Sequence, residues 1–494
     1  MILHRPVLNL LLLAGLTLGS CAVQPPPAAP PIRPLLVLQP CKLNLKGVGI
    51  FIDARCGQLA VDEDYSHPGG RKIDLNIAVI PAVDRKPQPD PVFLIAGGPG
   101  EAAAQSFPLL MDALSRLNQG RDLVMVDQRG TGDSHPLTCP QDEDPHPNFD
   151  LSAEQSLEQL KTCRQKLASD PRFYTTAAAV LDLEQVRQAL GYPRVNLLGV
   201  SYGTRVALAY LRQSGEVVRS VILDSVASPS WELGPHNAAN AQRAFDLLLQ
   251  RCAAASSCAR AYPDLNHELN SLLAQLDQKP VKVSLRHPIN GQKIEVTLDR
   301  GKLGYALEIL SYEPETAALI PLLVHSAYQD GSYDLLLAQT INSQSSLSAA
   351  LSTGVYYSVL CAEDVPFYPA VPENTPSYLQ DTTMEMASQC KVWNVPAAPP
   401  AFKQPVRSDR PVLLLSGEAD PVTPPVNAAE AARSLSNSLA VTVPGMGHAV
   451  FTRGCVPRLL ADFIAAGSVQ GLDTSCVQQI SPQPFFLNFS GTQP

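Results

Sequence analysis

From about residue 41, short unbroken runs of Val, Leu and Ile recur along the chain, each followed by a stretch with apolar residues three and four apart. The runs at 75–80, 92–96, 123–126, 195–199, 221–223, 412–415 and 439–443 are too short for helices. They mostly lack polar alternation, which is the pattern of strands buried on both faces. Helical periodicity fills 153–167, 177–190, 202–212, 427–435 and 457–465. Strands that alternate with amphipathic helices predict an α/β domain with a largely parallel sheet and helices on both faces. The alternation stops between Asp224 and Val412. That interval reads as mostly helical, as at 239–250 and 317–328, with one strand-like patch at 281–286. Inserted above the carboxyl edge of the sheet, it would form a cap over 229–405 and divide the core into 41–228 and 406–494.

The first twenty residues follow another pattern. A basic start (His4, Arg5) leads into an apolar run from Leu10 to Leu18 and then Gly19-Ser20, the layout of an export signal. The run is too short to cross a bilayer comfortably. Leu18-Gly19-Ser20-Cys21 resembles a bacterial lipoprotein cleavage box, in which Cys21 becomes the lipidated first residue; a soluble signal peptide that ends beside a cysteine is the alternative. Residues 21–40, with Pro25-Pro26-Pro27 and Pro30-Pro31, would form a stiff tether. Ala22 is not the aspartate associated with inner-membrane retention, so the expected place is the bacterial envelope, at the outer membrane facing the periplasm, or outside the cell.

Composition narrows the class. The 494 residues are 45% hydrophobic and 17% charged, which suits a globular chain. A net charge of −9 without any Lys/Arg cluster argues against a nucleic-acid surface. Setting Cys21 aside leaves ten of the eleven cysteines, an even number that fits an oxidising compartment. Pairing neighbours along the chain is the simplest arrangement: Cys41–Cys56, Cys139–Cys163, Cys252–Cys258, Cys361–Cys390 and Cys455–Cys476. No C-x-x-C pair occurs, which speaks against a zinc ribbon or a dithiol redox site.

Candidate chemistry centres on Gly199-Val200-Ser201-Tyr202-Gly203, which sits between the apolar run 195–198 and a helical stretch. A serine in G-x-S-x-G at a strand-to-helix junction stands on a strained turn with its Oγ lifted clear of the backbone. Such a nucleophile needs a base, and the base an orienting carboxylate, in the chain order Ser, Asp or Glu, His. The run 413–415 leads into Ser416-Gly417-Glu418-Ala419-Asp420, and the run 439–443 into Pro444-Gly445-Met446-Gly447-His448. His448 is therefore the expected base and Asp420 its carboxylate, with Glu418 as the competing acid. An oxyanion formed by attack on a carbonyl needs backbone N–H donors. Tyr202 supplies one, directly after the serine. Gly98 is the expected second, in Gly97-Gly98-Pro99-Gly100 after the run 92–96. This chemistry calls for no metal and no organic cofactor.

Three strings carry a family resemblance. Ala96-Gly97-Gly98-Pro99-Gly100, Asp127-Gln128-Arg129-Gly130-Thr131-Gly132-Asp133-Ser134 and Gly199-Val200-Ser201-Tyr202-Gly203-Thr204 resemble the prolyl iminopeptidase and tripeptidyl aminopeptidase group of α/β-hydrolases. Tyr174-Thr175-Thr176, Ser358-Val359-Leu360-Cys361-Ala362-Glu363-Asp364 and Cys390-Lys391-Val392-Trp393 look like the tripeptidyl branch. The resemblance covers most of 41–480 and implies an α/β-hydrolase fold and hydrolysis of peptide bonds near a free N-terminus. An exopeptidase must recognise an ammonium group, which calls for a carboxylate; Glu363, Asp364 and Glu101 are the candidates. Asp127 and Arg129 are expected to brace the oxyanion loop. Peptides are the expected partners, with membrane contact only through the lipid anchor, and the chain is expected to be a monomer. A carboxylesterase or lipase with the same triad is the nearest rival, since one fold hosts either specificity; a non-catalytic envelope lipoprotein is the more distant one.

Overall fold

The computed structural model describes residues 36–45, 49–143, 151–348, 351–370 and 377–492. The expected leader at 1–20, Cys21 and the tether up to residue 35 lie outside these residues.

The strands before the insertion are β1 (Gln39–Leu45), β2 (Ile50–Asp62), β3 (Lys72–Ile80), β4 (Val92–Ile95), β5 (Leu123–Val126), β6 (Val195–Val200) and β7 (Val218–Asp224). A hairpin, β8 (Val281–Arg286) and β9 (Lys293–Leu298), lies within the insertion, followed by β10 (Val412–Gly417) and β11 (Ser438–Val443). Nine strands form one sheet in the order β1-β2-β3-β5-β4-β6-β7-β10-β11. From β5 to β11 every neighbouring pair is parallel, while β1, β2 and β3 join antiparallel at one side. The sheet is thus α/β and mostly parallel, as the alternation predicts.

The apolar runs have no polar alternation because both faces of the sheet are covered. Leu413 and Leu415 point to one side, with Leu114, Leu459, Leu460 and Phe463 from the helices Met111–Gly120 and Val456–Ala466. Leu414 points to the other, with Val180, Val186 and Val206 from the helices Thr176–Leu190 and Tyr202–Ser214. Successive strand residues serve opposite faces, so a two-sided core demands a continuous run.

β1 and most of β2 have no such run. Lys42, Asp53, Arg55 and Gln58 break their apolar pattern, and their exposed side meets solvent at the sheet's edge. Cys41–Cys56 ties the two strands together. The other disulfides are Cys139–Cys163, Cys252–Cys258, Cys361–Cys390 and Cys455–Cys476, the nearest-neighbour arrangement throughout.

The segment between β7 and β10 packs in two ways. The helices Asn237–Ala254, Leu265–Gln278, Arg300–Leu310, Ile320–Asp330 and Asp334–Ser348 share an apolar cluster with the hairpin β8-β9 and with Phe485 near the C-terminus. The helix Thr353–Glu363 sends Val355 and Val359 into the main core instead. Among the described residues no helix is long and apolar enough to cross a membrane.

Candidate active site

The strands that carry the candidate residues are close neighbours in the sheet: β6 leads into Ser201, β10 into the turn bearing Asp420, and β11 into the loop bearing His448. Parallel pairing sends all three connections out at the same, carboxyl edge.

Ser201 has φ 55° and ψ −126° between β6 and the helix Tyr202–Ser214, a conformation costly for a residue with a Cβ. The neighbouring glycines make the bend possible. A Cβ at Gly199 would strike the carbonyl of Gly203, and one at Gly203 would strike the carbonyl oxygen of Ile95 in β4. Thr204 fixes the turn by donating to the Ser201 carbonyl from its N–H (2.9 Å) and its hydroxyl (2.6 Å).

Asp420 is fully buried. Its Oδ1 accepts the N–H groups of Val422 and Thr423 at 2.9 Å each. Its Oδ2 accepts the Thr423 hydroxyl at 2.8 Å and lies 2.9 Å from His448 Nδ1. Burial by itself would raise this carboxyl, but the imidazole of His448 and the bonded N–H groups outweigh it and hold the group down to about 2. Burial would likewise lower His448, yet the Asp420 charge and hydrogen bond raise it above its ordinary value. With Nδ1 facing Asp420, Nε2 is left as the basic nitrogen. Glu418 does not meet the imidazole: its Oε2 accepts the N–H of Gly445 at 2.8 Å.

Asp224 and Ser225, at the end of β7, link the two halves of the site. The Asp224 carbonyl accepts the Ser201 N–H at 2.9 Å. Directly beyond His448, Ala449 N–H donates to Ser225 Oγ (2.9 Å) and Phe451 N–H to Asp224 Oδ2 (2.7 Å). Burial pushes the Asp224 carboxyl up to about 7 against these N–H groups and the nearby imidazole. The histidine loop is thereby anchored to the residues that hold the serine. The structure joins His448 to Asp420 but does not join Ser201 Oγ to His448 by a hydrogen bond, a link that in an unliganded site commonly tightens only with substrate bound.

At the expected oxyanion position, the N–H groups of Tyr202 and Gly98 have no acceptor among the described residues, so both are unspent. Gly97 differs, since its N–H donates to Glu101 Oε2 at 3.0 Å. Glu101 therefore braces the turn with one of its carboxylate oxygens. Asp127 accepts from Ala104 N–H (2.8 Å) and Asp133 N–H (3.2 Å), tying down the segment after that turn. Arg129 does not touch the loop it was expected to brace. Its guanidinium holds Asp182 at 2.6 and 2.7 Å and the carbonyls of Glu63 and Phe173, because a buried cation needs a full set of acceptors. Gln128, which the sequence gives no reason to single out, reaches the Ala96 carbonyl instead, at 3.2 Å.

Glu363 and Asp364 require a correction as ammonium-binding candidates. Both are enclosed, with 1% and 0% exposure, and both are already paired. Asp364 holds the Arg205 guanidinium through two 2.8 Å bonds. Glu363 accepts from Thr176 N–H and Oγ1, at 2.7 Å each, and lies 3.5 Å from Arg205. Arg205 belongs to the helix that starts behind the serine, and an arginine directly before the apolar run Val206-Ala207-Leu208-Ala209 is the sequence signal of this pairing.

A family model described as the alpha/beta hydrolase fold matches residues 90–454. The chain is 26% identical over 481 residues to the serine protease Hip1 of Mycobacterium tuberculosis, covering 88% of this chain and 90% of that protein. It is 25% identical over 468 residues to the tripeptidyl aminopeptidase of Streptomyces coelicolor, covering 87% and 84%. It is 26% identical over 523 residues to carboxylesterase B of Mycobacterium tuberculosis, covering 96% and 98%. With the match spanning β4 to the loop beyond His448, and with a parallel sheet that delivers a serine turn to its carboxyl edge, the chain belongs to the alpha/beta hydrolase fold family.

Proposed function

We propose that this protein is a serine hydrolase that cuts peptide bonds near a free N-terminus, with Ser201 as nucleophile, His448 as general base and Asp420 as its orienting carboxylate. One observation carries the reading: a buried Asp420 paired with a part-buried His448 whose loop is tied, through Asp224 and Ser225, to a serine on a strained strand-to-helix turn. Likeness to a serine protease and to a tripeptidyl aminopeptidase along most of the chain supports peptides as the substrate class.

In this reading Ser201 Oγ attacks the scissile carbonyl while His448 Nε2 takes the hydroxyl proton. The Tyr202 and Gly98 N–H groups receive the oxyanion, and loss of one such donor typically costs about 10²–10³ in rate. His448 passes its proton to the leaving amine. Water, activated by the same nitrogen, then releases the acyl group from Ser201. The leader and Cys21 support export with a lipid anchor in a bacterial envelope, and five disulfides suit an oxidising compartment.

Likeness to carboxylesterase B over nearly the whole chain favours ester hydrolysis as a second reading. Tripeptidyl amides with free and N-acetylated termini, assayed beside short acyl esters, separate the two. Free peptides should be turned over much faster than acetylated ones, and ester turnover without peptide turnover gives the second reading. Ser201→Ala should remove both turnover and labelling by a fluorophosphonate; a variant that still labels disproves the nucleophile.

A further inference from the structure

The helix Arg300–Leu310 has two unlike sides. Leu303, Ala306, Leu307 and Leu310 are buried in the insertion's own apolar cluster. Tyr305, Glu308 and Tyr312 recur three and four apart on the opposite side. Ser311 N–H reaches back to the Leu307 and Glu308 carbonyls at 3.1 and 3.0 Å, so the path of the helix continues toward Tyr312. This side meets the catalytic loop. The Tyr312 carbonyl accepts the His448 N–H at 2.8 Å, and the two rings lie 5.3 Å apart.

Glu308 has no hydrogen-bond or ion-pair partner among the described residues. Its side chain is part-exposed, yet enough protein surrounds it that burial pushes the carboxyl up to about 7. Glu308 lies one helical turn before Tyr312, on the side of the helix whose end holds His448 through the Tyr312 carbonyl. Burial first, and the nearby Glu308 charge after it, raises the Tyr305, Tyr312 and Tyr356 hydroxyls above their ordinary value, and Asp420 adds to the effect on Tyr312. The other acids around the site are either bonded or, like Asp224 with its unpaired Oδ1, sealed from water. Arg453 holds Glu313 and Glu315, the Gly97 N–H holds Glu101, and Arg205 holds Glu363 and Asp364. A carboxylate kept in an enclosed position without a counter-charge is costly, and such groups concentrate where a ligand completes them.

We propose that Glu308 receives the α-ammonium group of the substrate, on the helix side that it shares with Tyr305 and Tyr312. This assignment rests on the peptidase reading above. An ammonium offers three donors to the carboxylate in charge-assisted bonds, and tyrosine faces add cation–π attraction. Its arrival also restores the counter-charge that favours the ionised carboxylate. Glu308 would then set how near to the N-terminus the cut falls, since the ammonium is anchored at a fixed place relative to Ser201.

The test compares Glu308→Gln and Glu308→Asp with the wild type on the free and N-acetylated tripeptidyl amides. Fluorophosphonate labelling of Ser201 reports an intact triad. Glu308→Gln should lose about 30-fold or more in kcat/KM on free peptides, mainly through KM. Turnover of acetylated peptides and the labelling rate should stay within about twofold, and Glu308→Asp should recover part of the loss. If Glu308→Gln keeps the wild-type ratio of free to acetylated turnover, the assignment is wrong while the peptidase reading stands. If the wild type cleaves no free peptide, both fall. Should the glutamine variant label poorly, Glu308→Ala must reproduce the selective loss on free peptides, and its failure to do so rejects the assignment.

Discussion

Two sets of acidic side chains come from the same insertion, and their surroundings differ sharply. Glu363 and Asp364 are sealed from water around Arg205, with Thr176 and the Leu233 N–H completing their bonds. Glu308, one helical turn before the Tyr312 carbonyl that holds His448, is part-exposed and has nothing to pair with among the described residues. The first set is architectural. Arg205 lies on the helix that begins behind Ser201, and Thr176 Oγ1 bridges Glu363 to the Tyr202 hydroxyl at 2.7 Å on each side. That network holds the helix behind Ser201, with Tyr202 at its start, against the second half of the insertion. Glu308 holds nothing in place, so its charge remains available to whatever enters. Burial of a carboxylate is thus a poor guide to its role; whether its partner is already present tells more.

The contrast can be tested, beginning with the largest expected effect. Asp420→Asn leaves His448 without the acceptor that fixes its orientation, and kcat should fall on the order of 10⁴-fold in steady-state assays. A loss of less than about tenfold would mean that another acid, Asp224 being nearest in the bonding scheme, orients the base. Next comes Arg205→Ala, which strands two buried carboxylates. Urea unfolding should show a loss of about 3–5 kcal/mol, whereas Glu308→Gln should change stability by no more than about 1 kcal/mol. Equal effects of the two would mean that Glu308 also holds the fold together.

The smallest effect lies in the pH profile. His448 must be neutral to accept a proton, and its pKa is raised by Asp420 after burial has pulled it down. Activity is therefore lost as pH falls through a value above the ordinary histidine pKa of about 6.5. An acyl ester is the right substrate, because it carries no ammonium and leaves Glu308 out of the reading. An acid limb centred below about 6 would show that the imidazole does not feel the carboxylate as its geometry implies.

Legibility of these features in the sequence followed the number of constraints on each residue. The serine turn could be read because three demands coincide there: a strand before it, a helix after it, and glycines where Cβ atoms would collide with Gly203 and Ile95. The parallel strands were readable because two covered faces force an unbroken apolar run. β1 and β2 were not, since an edge strand tolerates Lys42 or Arg55 and so resembles a loop. Glu363 and Asp364 were read as free because their partner lies some 160 positions away in the chain. Glu308 was overlooked for the converse reason: a glutamate between two tyrosines on the polar side of a helix looks like any solvated surface, and only the fold turns that side toward a histidine.

His448 takes one of its main-chain hydrogen bonds from the insertion, at the Tyr312 carbonyl, and Gly447 is packed so closely against that carbonyl that no side chain fits there. The insertion is therefore no detachable accessory. Trimming it to admit bulkier substrates would unseat the imidazole proposed as the base, and grafting a relative's version would succeed only if the donor brought a matching carbonyl to the same spot. Selectivity and turnover in this enzyme must be re-engineered together.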